Sequence, residues 1–287
     1  MRYNEPPTEA NLWLGQSSIM FNRAGKVGLT LVLALWLAGA ALAQRGRDEG
    51  DDELKMGQQV YEELLQKGEI ISASPLYDTL TPITQAIIKV VQPQYPYPFK
   101  FYLVQEKQPN AFAAPGGNVY VTDSLMYFVK NTEELAGTLC HETSHTLHHD
   151  AVNLMKQDQE VRRRALAAEV IMERRGREMR GLPILAKLRT LSYSREAESN
   201  ADLTGSDTCA AAGYNPWGLV WLLQDFEDRG AQERPQMLSD HPSDQNRITA
   251  LKQHFAQNPE TFAHFNSDPH AATALAVPKN ASETFLP

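Results

Sequence analysis

The sequence predicts a predominantly helical α+β domain with a small sheet, and three observations carry that reading. Apolar residues recur at helical spacing in stretches spread between Leu54 and Phe255. Strand-like composition is confined to residues 98–122, where aromatic and branched residues flank a Pro-Gly-Gly turn. The 287 residues are 42% hydrophobic and 22% charged, enough for one moderately large core plus appendages. A net charge of −8 argues against broad attraction to nucleic acid or anionic lipid. Two cysteines, Cys140 and Cys209, exclude a disulfide-dense scaffold and a multi-cysteine zinc motif.

Val27 to Ala43 is an uncharged apolar run, preceded by Arg23 and Lys26 and closed by Ala41-Leu42-Ala43. That small-x-small ending reads as an export signal cleaved after Ala43. Residues 1–19 are too polar to belong to it, whereas a segment starting at Met20 has signal proportions. Met20 is therefore the expected start and Gln44 the mature N-terminus. The alternative is an uncleaved anchor, the chain's one expected membrane contact, since such a run sits at the lower edge of a bilayer span. No cysteine lies near position 44, which argues against a lipidated N-terminus. Residues 44–53 are charged and contain glycine, and read as a flexible lead-in to a domain over 54–265.

Within that domain, helical spacing runs over 54–65 and again from Leu76 to Val91, where Pro82 fits a helix start better than an interior. Residues 98–105 read as a strand, and 110–122 as two short strands around the Pro-Gly-Gly turn. Asn131 followed by Glu134 resembles a capping box. With only Gly137 as an interior break, the helix it opens is expected to continue to Met155. Residues 156–190 are basic and helical in spacing, broken at Gly181 and Pro183. A helix from Arg195 should end at Gly213, and Asn215-Pro216 should open the next. A last helix carries Ile248, Leu251 and Phe255, and residues 266–287 read as a loose tail.

The stretch "CHETSHTLHHD", residues 140–150, holds four of the eight histidines. His141 and His145 lie one helical turn, about 6 Å, apart on one face and can share one zinc. Glu142 stands on the neighbouring edge, free to act as a base without ligating the metal, which is the physical content of H-E-x-x-H. The five-residue pattern alone also fits a solvated helix face. His148 lies about 10 Å along the axis from His141, too far for one tetrahedral ion, so His148 and His149 read as surface or supporting residues. A metzincin would need glycine at 148 and histidine at 151, where this chain has His148 and Ala151. The remaining source of a ligand is "SYSREAESNADLTG", residues 192–205, with Glu196, Glu198 and Asp202. Glu198 and Asp202 share a helix face, so one can bind the metal while the other accepts the N–H of a ligand histidine. Glu196 has Asn200 in place of such a partner.

In order along the chain, "NAFAAPGGNVYVTDSLM", "ELAGTLCHETSH", "SREAESNADLTG", "AAAGYNP" and "DHPSDQNRITAL" resemble the motifs of one family. It is the zinc metallopeptidase family that includes HtpX, the CAAX prenyl proteases and the periplasmic proteases of outer-membrane quality control. The resemblance implies a gluzincin-type domain with a small hairpin sheet beside the H-E-x-x-H helix. It implies one zinc on His141, His145 and Glu198, Glu142 as base, Asp202 behind the ligands, and His241 and Arg247 bordering the active site. His241 would serve as oxyanion donor or as a fourth ligand that holds the enzyme latent. The chain departs from the family at Asn200, where a second glutamate is usual, and at Asp150, where histidine is common.

The implied reaction is zinc-assisted hydrolysis of peptide bonds, with Glu142 moving a proton from water to the leaving amine. An extended protein or peptide substrate could pair with the strand at Asn118–Thr122 or its neighbour. A membrane-embedded prenyl-protein protease is disfavoured, since no apolar span follows residue 43. The rival of another class is a non-catalytic, zinc-stabilised chaperone or binding module. It would have no use for Glu142. Cys140 and Cys209 fall on helices that converge on the metal, so a bridge is conceivable. Two buried thiols are favoured, because Cys140 points about 100° away from His141.

Overall fold

The computed structural model describes residues 52–172, 183–188, 192–229, 237, 241 and 245–278. The expected signal and cleavage site, most of the lead-in, and Gly181 lie outside these residues. Helix α1 spans 52–66, and β1 (Ile70–Ile71) leads into α2 (Leu76–Val91). Then follow β2 (Lys100–Val104), β3 (Ala111–Ala114), β4 (Asn118–Thr122) and α3 (Asp123–Phe128). Helices α4 (Thr132–Leu147), α5 (Asp150–Met172), α6 (Ile184–Leu188) and α7 (Arg195–Ala211) come next. The described chain ends with α8 (Trp217–Arg229), α9 (Gln245–Gln257) and the short α10 (Pro259–Phe262). No helix among the described residues is long and apolar enough to cross a membrane.

The sheet order is β1-β2-β4-β3, with β2 and β4 parallel and both outer pairs antiparallel. Side chains alternate between two cores, as a strand's period of two requires. Ala111 and Val121 join the larger cluster, and Phe112 and Tyr120 the smaller one. The larger core collects the stripe Leu76, Leu80, Ile83, Ile87 and Val91 of α2 with Leu139 of α4 and Leu251 of α9. That stripe explains why α2 begins at Leu76 and carries Pro82 inside it, not at its start. Burying a turn more of apolar surface outweighs one lost backbone bond, and Pro82 lies on the exposed side.

Helix α4 is polar in composition yet buried along almost its entire length. Its hydroxyls are satisfied by their own helix. Thr138, Thr143 and Ser144 donate to the carbonyls of Glu134, Leu139 and Cys140, at 3.0, 3.0 and 2.8 Å. Asn131 caps it as expected, its side chain accepting from the Glu134 N–H at 2.8 Å. The expected continuous helix to Met155 does not form. The chain breaks at His148 and His149, and His149 adopts the left-handed conformation with φ 56°. Its imidazole Nδ1 lies 3.0 Å from Glu53 Oε2, and Glu53 also accepts from the Tyr95 hydroxyl. Glu53, at the end of the expected flexible lead-in, is instead a buried residue of α1. The segment 266–278 is likewise tied down. Thr132 N–H donates to the Thr273 carbonyl at 2.9 Å, Trp221 Nε1–H donates to the Ser267 carbonyl at 3.0 Å, and Leu275 and Val277 pack on the core.

Helix α7 crosses α4 closely because Gly205 has no side chain. A Cβ there would stand 3.0 Å from the backbone nitrogen of His141. The crossing also corrects the expectation of two thiols: Cys140 and Cys209 form a disulfide, with Cα atoms 5.8 Å apart. A helix buried all round has no outward side for Cys140 to take, so its rotation away from His141 still faces α7. The bridge spans a sequence separation of 69 and should restrict the unfolded chain by about 4 kcal/mol. The Cys140→Ala, Cys209→Ala double variant should lose about that much stability in urea unfolding at constant metal loading. An unchanged midpoint would refute the bridge's contribution.

Candidate metal centre

His141 and His145 present their Nε2 atoms to each other 3.0 Å apart, with ring planes at 89°. Glu198 arrives from the first turn of α7, where Ser194 caps the helix by accepting from the Ala197 N–H at 3.1 Å. Its Oε2 lies 3.5 Å from His141 Nε2 and its Oε1 3.5 Å from His145 Nε2. His241 Nδ1 lies 3.3 Å from His141 Nε2 and 2.9 Å from Glu198 Oε1. The four residues are buried, and one donor atom from each falls within 4.8 Å of the others. A tetrahedral ion with ligands at about 2.1 Å needs them roughly 3.4 Å apart. Ring nitrogens and a carboxylate oxygen at these separations fit a metal ion. Glu196, two residues from Glu198, is exposed.

The histidine rings of the cluster are oriented from behind. Asp202 Oδ1 lies 3.0 Å from His141 Nδ1. Arg247 grips Asp202 with Nε and Nη2, at 2.7 and 2.6 Å, and reaches Glu198 Oε2 with Nη1 at 2.8 Å. Arg247, expected at the border of the active site, therefore lies behind the two carboxylates and positions them. His145 Nδ1 is 2.8 Å from Asp150 Oδ2. Asp150, a departure from the family in sequence, is turned back onto His145 by the helix break at 148–149. His148 and His149 stay outside the cluster; His148 Nε2 faces the Thr204 hydroxyl at 3.1 Å.

Burial pushes the His141 imidazole down, but Asp202 and Glu198 outweigh it and raise its pKa from 6.5 to about 10. Burial works against the Glu198 carboxylate, yet His241, His141 and His145 hold it well below the usual range. Burial likewise opposes Asp202, and Arg247 overrides it. The raised pKa favours a protonated His141 in the metal-free protein, and as a metal ligand His141 would have to shed that proton. Metal uptake should release protons, and affinity should rise with pH toward 10. Calorimetric titration in two buffers of different ionisation enthalpy reads this directly. The raised pKa also stabilises the metal-free fold below pH 6.5, and that contribution fades as pH rises through about 10.

Glu142 is fully buried and stands beside the cluster, outside the ligand set. Its Oε2 accepts from the Ala113 N–H at 2.9 Å, and its Oε1 lies 3.3 Å from His241 Nε2. Ala113 belongs to β3, the end strand of the sheet among the described residues, and its outward N–H is the one Glu142 holds. Strand β4, considered as a docking edge, lies between β2 and β3 and has no free side. The sequence marks Asp150 as a departure from the family without giving it a role, and offers no reading of Tyr193, whose ring stacks on His145. Tyr193 stands just before Ser194, the N-cap of the helix that carries Glu198.

The profile of peptidase family M48 matches residues 78–254, from α2 through nearly all of α9. The chain belongs to peptidase family M48. All four residues of the cluster, together with Glu142, Asp202 and Arg247, fall inside the matched region. This M48 chain is 30% identical over 162 residues to the beta-barrel assembly-enhancing protease of Yersinia pestis, covering 53% of this chain and 33% of that protein. It is 25% identical over 161 residues to the protein of the same name from Escherichia coli K12, again covering 53% and 33%. It is 24% identical over 209 residues to the mitochondrial metalloendopeptidase OMA1 of Schizosaccharomyces pombe, covering 71% and 61%. The matched segment thus spans about a third of these bacterial relatives' length.

Proposed function

We propose that this chain is an exported, zinc-dependent metalloendopeptidase that cuts unfolded or flexible proteins as part of envelope protein quality control. The observation that carries the reading is Glu142: a buried carboxylate beside the cluster, outside its donor set, and bonded to the outer edge of β3. A zinc site that served only to stabilise a binding module would have no use for it. Zinc on His141, His145 and Glu198 would acidify water and polarise the scissile carbonyl. Glu142 takes the proton of the attacking water and hands it to the leaving amine. A peptide laid along β3 as an added strand would pass directly in front of Glu142, which requires a substrate that can extend. Export rests on residues 20–43, and the envelope role on the names of the bacterial relatives.

His241 has two readings, and the structure's contacts favour one. Its Nδ1 lies among the ligand atoms and its Nε2 faces Glu142, the posture of a fourth ligand that must leave before substrate enters. The test is casein hydrolysis by the purified protein before chelation, after it, and after zinc is restored. Activity should vanish and return. A zinc-loaded protein inactive on every unfolded substrate would favour the binding module. In the same assay, His241→Ala should raise the initial rate if the residue holds the enzyme latent. A fall in kcat at full zinc loading would make it an oxyanion donor instead.

A further inference from the structure

Tyr193 touches two rings of the metal centre. Its ring lies on the face of the His145 imidazole, with centroids 4.2 Å apart and planes within 14°. It also meets His241 at 5.3 Å and 34°, while His145 and His241 are 5.1 Å apart. The three rings thus form a closed triangle at the cluster.

Each ligand histidine has to be held in a plane as well as at a point. His141 is held by Asp202, itself clamped on two sides by Arg247. The His145 side is built differently. Asp150 fixes Nδ1 at 2.8 Å, but it is only part-buried, and it reaches back across the break at 148–149. One hydrogen bond fixes a point on the ring edge. It leaves the ring able to rock about that point, because the terminal torsion of histidine has a broad energy well. A flat partner on the ring face removes the rocking. Tyr193 can serve because it immediately precedes Ser194, the N-cap of α7, so the turn that starts the Glu198 helix also sets the Tyr193 ring.

We propose that Tyr193 is a positioning residue of the metal centre: its stack on His145 sets the imidazole plane that aims Nε2 at the metal. The inference rests on the metal-centre reading above and adds to it a residue that binds neither metal nor proton. It requires the aromatic face and not the hydroxyl.

The test compares Tyr193→Phe with Tyr193→Leu and Tyr193→Met in the full chain; two aliphatic replacements guard against a single misfolded variant. Zinc dissociation is followed by transfer to a chromophoric chelator, and the cobalt-substituted proteins are examined by visible absorption. Tyr193→Phe should match the wild type in both. The aliphatic variants should release zinc roughly three- to ten-fold faster, the range an aromatic pair supplies. Their cobalt bands should shift as the His145 ligand reorients. Aliphatic variants that keep the wild-type release rate and cobalt spectrum would overturn the proposal. So would a Phe variant that loses turnover at unchanged metal release, since that would place the hydroxyl in the reaction. Wild-type protein that binds no metal would instead sink the metal-centre reading itself.

Discussion

Glu142→Gln is expected to lower hydrolysis of an unfolded substrate by about 10²- to 10⁴-fold, the range that a general base supplies, while bound zinc stays near one per chain. The glutamine amide is nearly isosteric, and its oxygen can still accept from the Ala113 N–H that Glu142 Oε2 holds at 2.9 Å. The donor atoms of His141, His145 and Glu198 do not include Glu142, so the ligand set is untouched. What is lost is the capacity to take a proton next to His241 and the β3 edge. Turnover on casein and bound zinc after dialysis are measured on the same preparation. A variant with near-normal turnover would end the peptidase mechanism. One that loses zinc as well would show that Glu142 supports the ligands.

The parts of the fold legible in the sequence are those set by local chemistry. The cap at Asn131, the Pro-Gly-Gly hairpin, and the stop at Gly213, whose φ is +84°, each follow from residue type at one position. What the sequence concealed depends on contacts between distant segments. The break at His149 is supported by Glu53, nearly a hundred residues earlier, and nothing in "HTLHHD" marks it. That break in turn brings Asp150 to His145, so the same hidden contact concealed a supporting residue of the site. The Cys140–Cys209 bridge is hidden in the sequence because an angle around one helix says nothing about how closely another crosses it. Gly205 governs that distance. Conversely, the choice between Glu196 and Glu198 was available from spacing and motif, because a helix permits only one of two residues so placed to face the histidines.

That choice yields the second large effect: Glu198→Ala should lose zinc and activity, and Glu196→Ala should keep both. The two side chains diverge by about 200° on α7, and the fold buries Glu198 while leaving Glu196 exposed. Without Glu198 the metal would rest on imidazoles alone, and Arg247 Nη1 would lose the carboxylate oxygen now 2.8 Å away. A loss in zinc affinity of more than about 100-fold is therefore expected, beyond that of any supporting residue. Glu196→Ala should change stability by at most about 0.5 kcal/mol, as surface sites do. Asp202→Ala falls between them. It frees His141 Nδ1 from its partner at 3.0 Å and leaves Arg247 with Glu198, so affinity should fall roughly 10- to 100-fold. Zinc retained after dialysis against a weak chelator ranks the three variants. If Glu196→Ala released the metal and Glu198→Ala held it, the ligand assignment would be reversed, and α7 would have to rotate by half a turn to allow it.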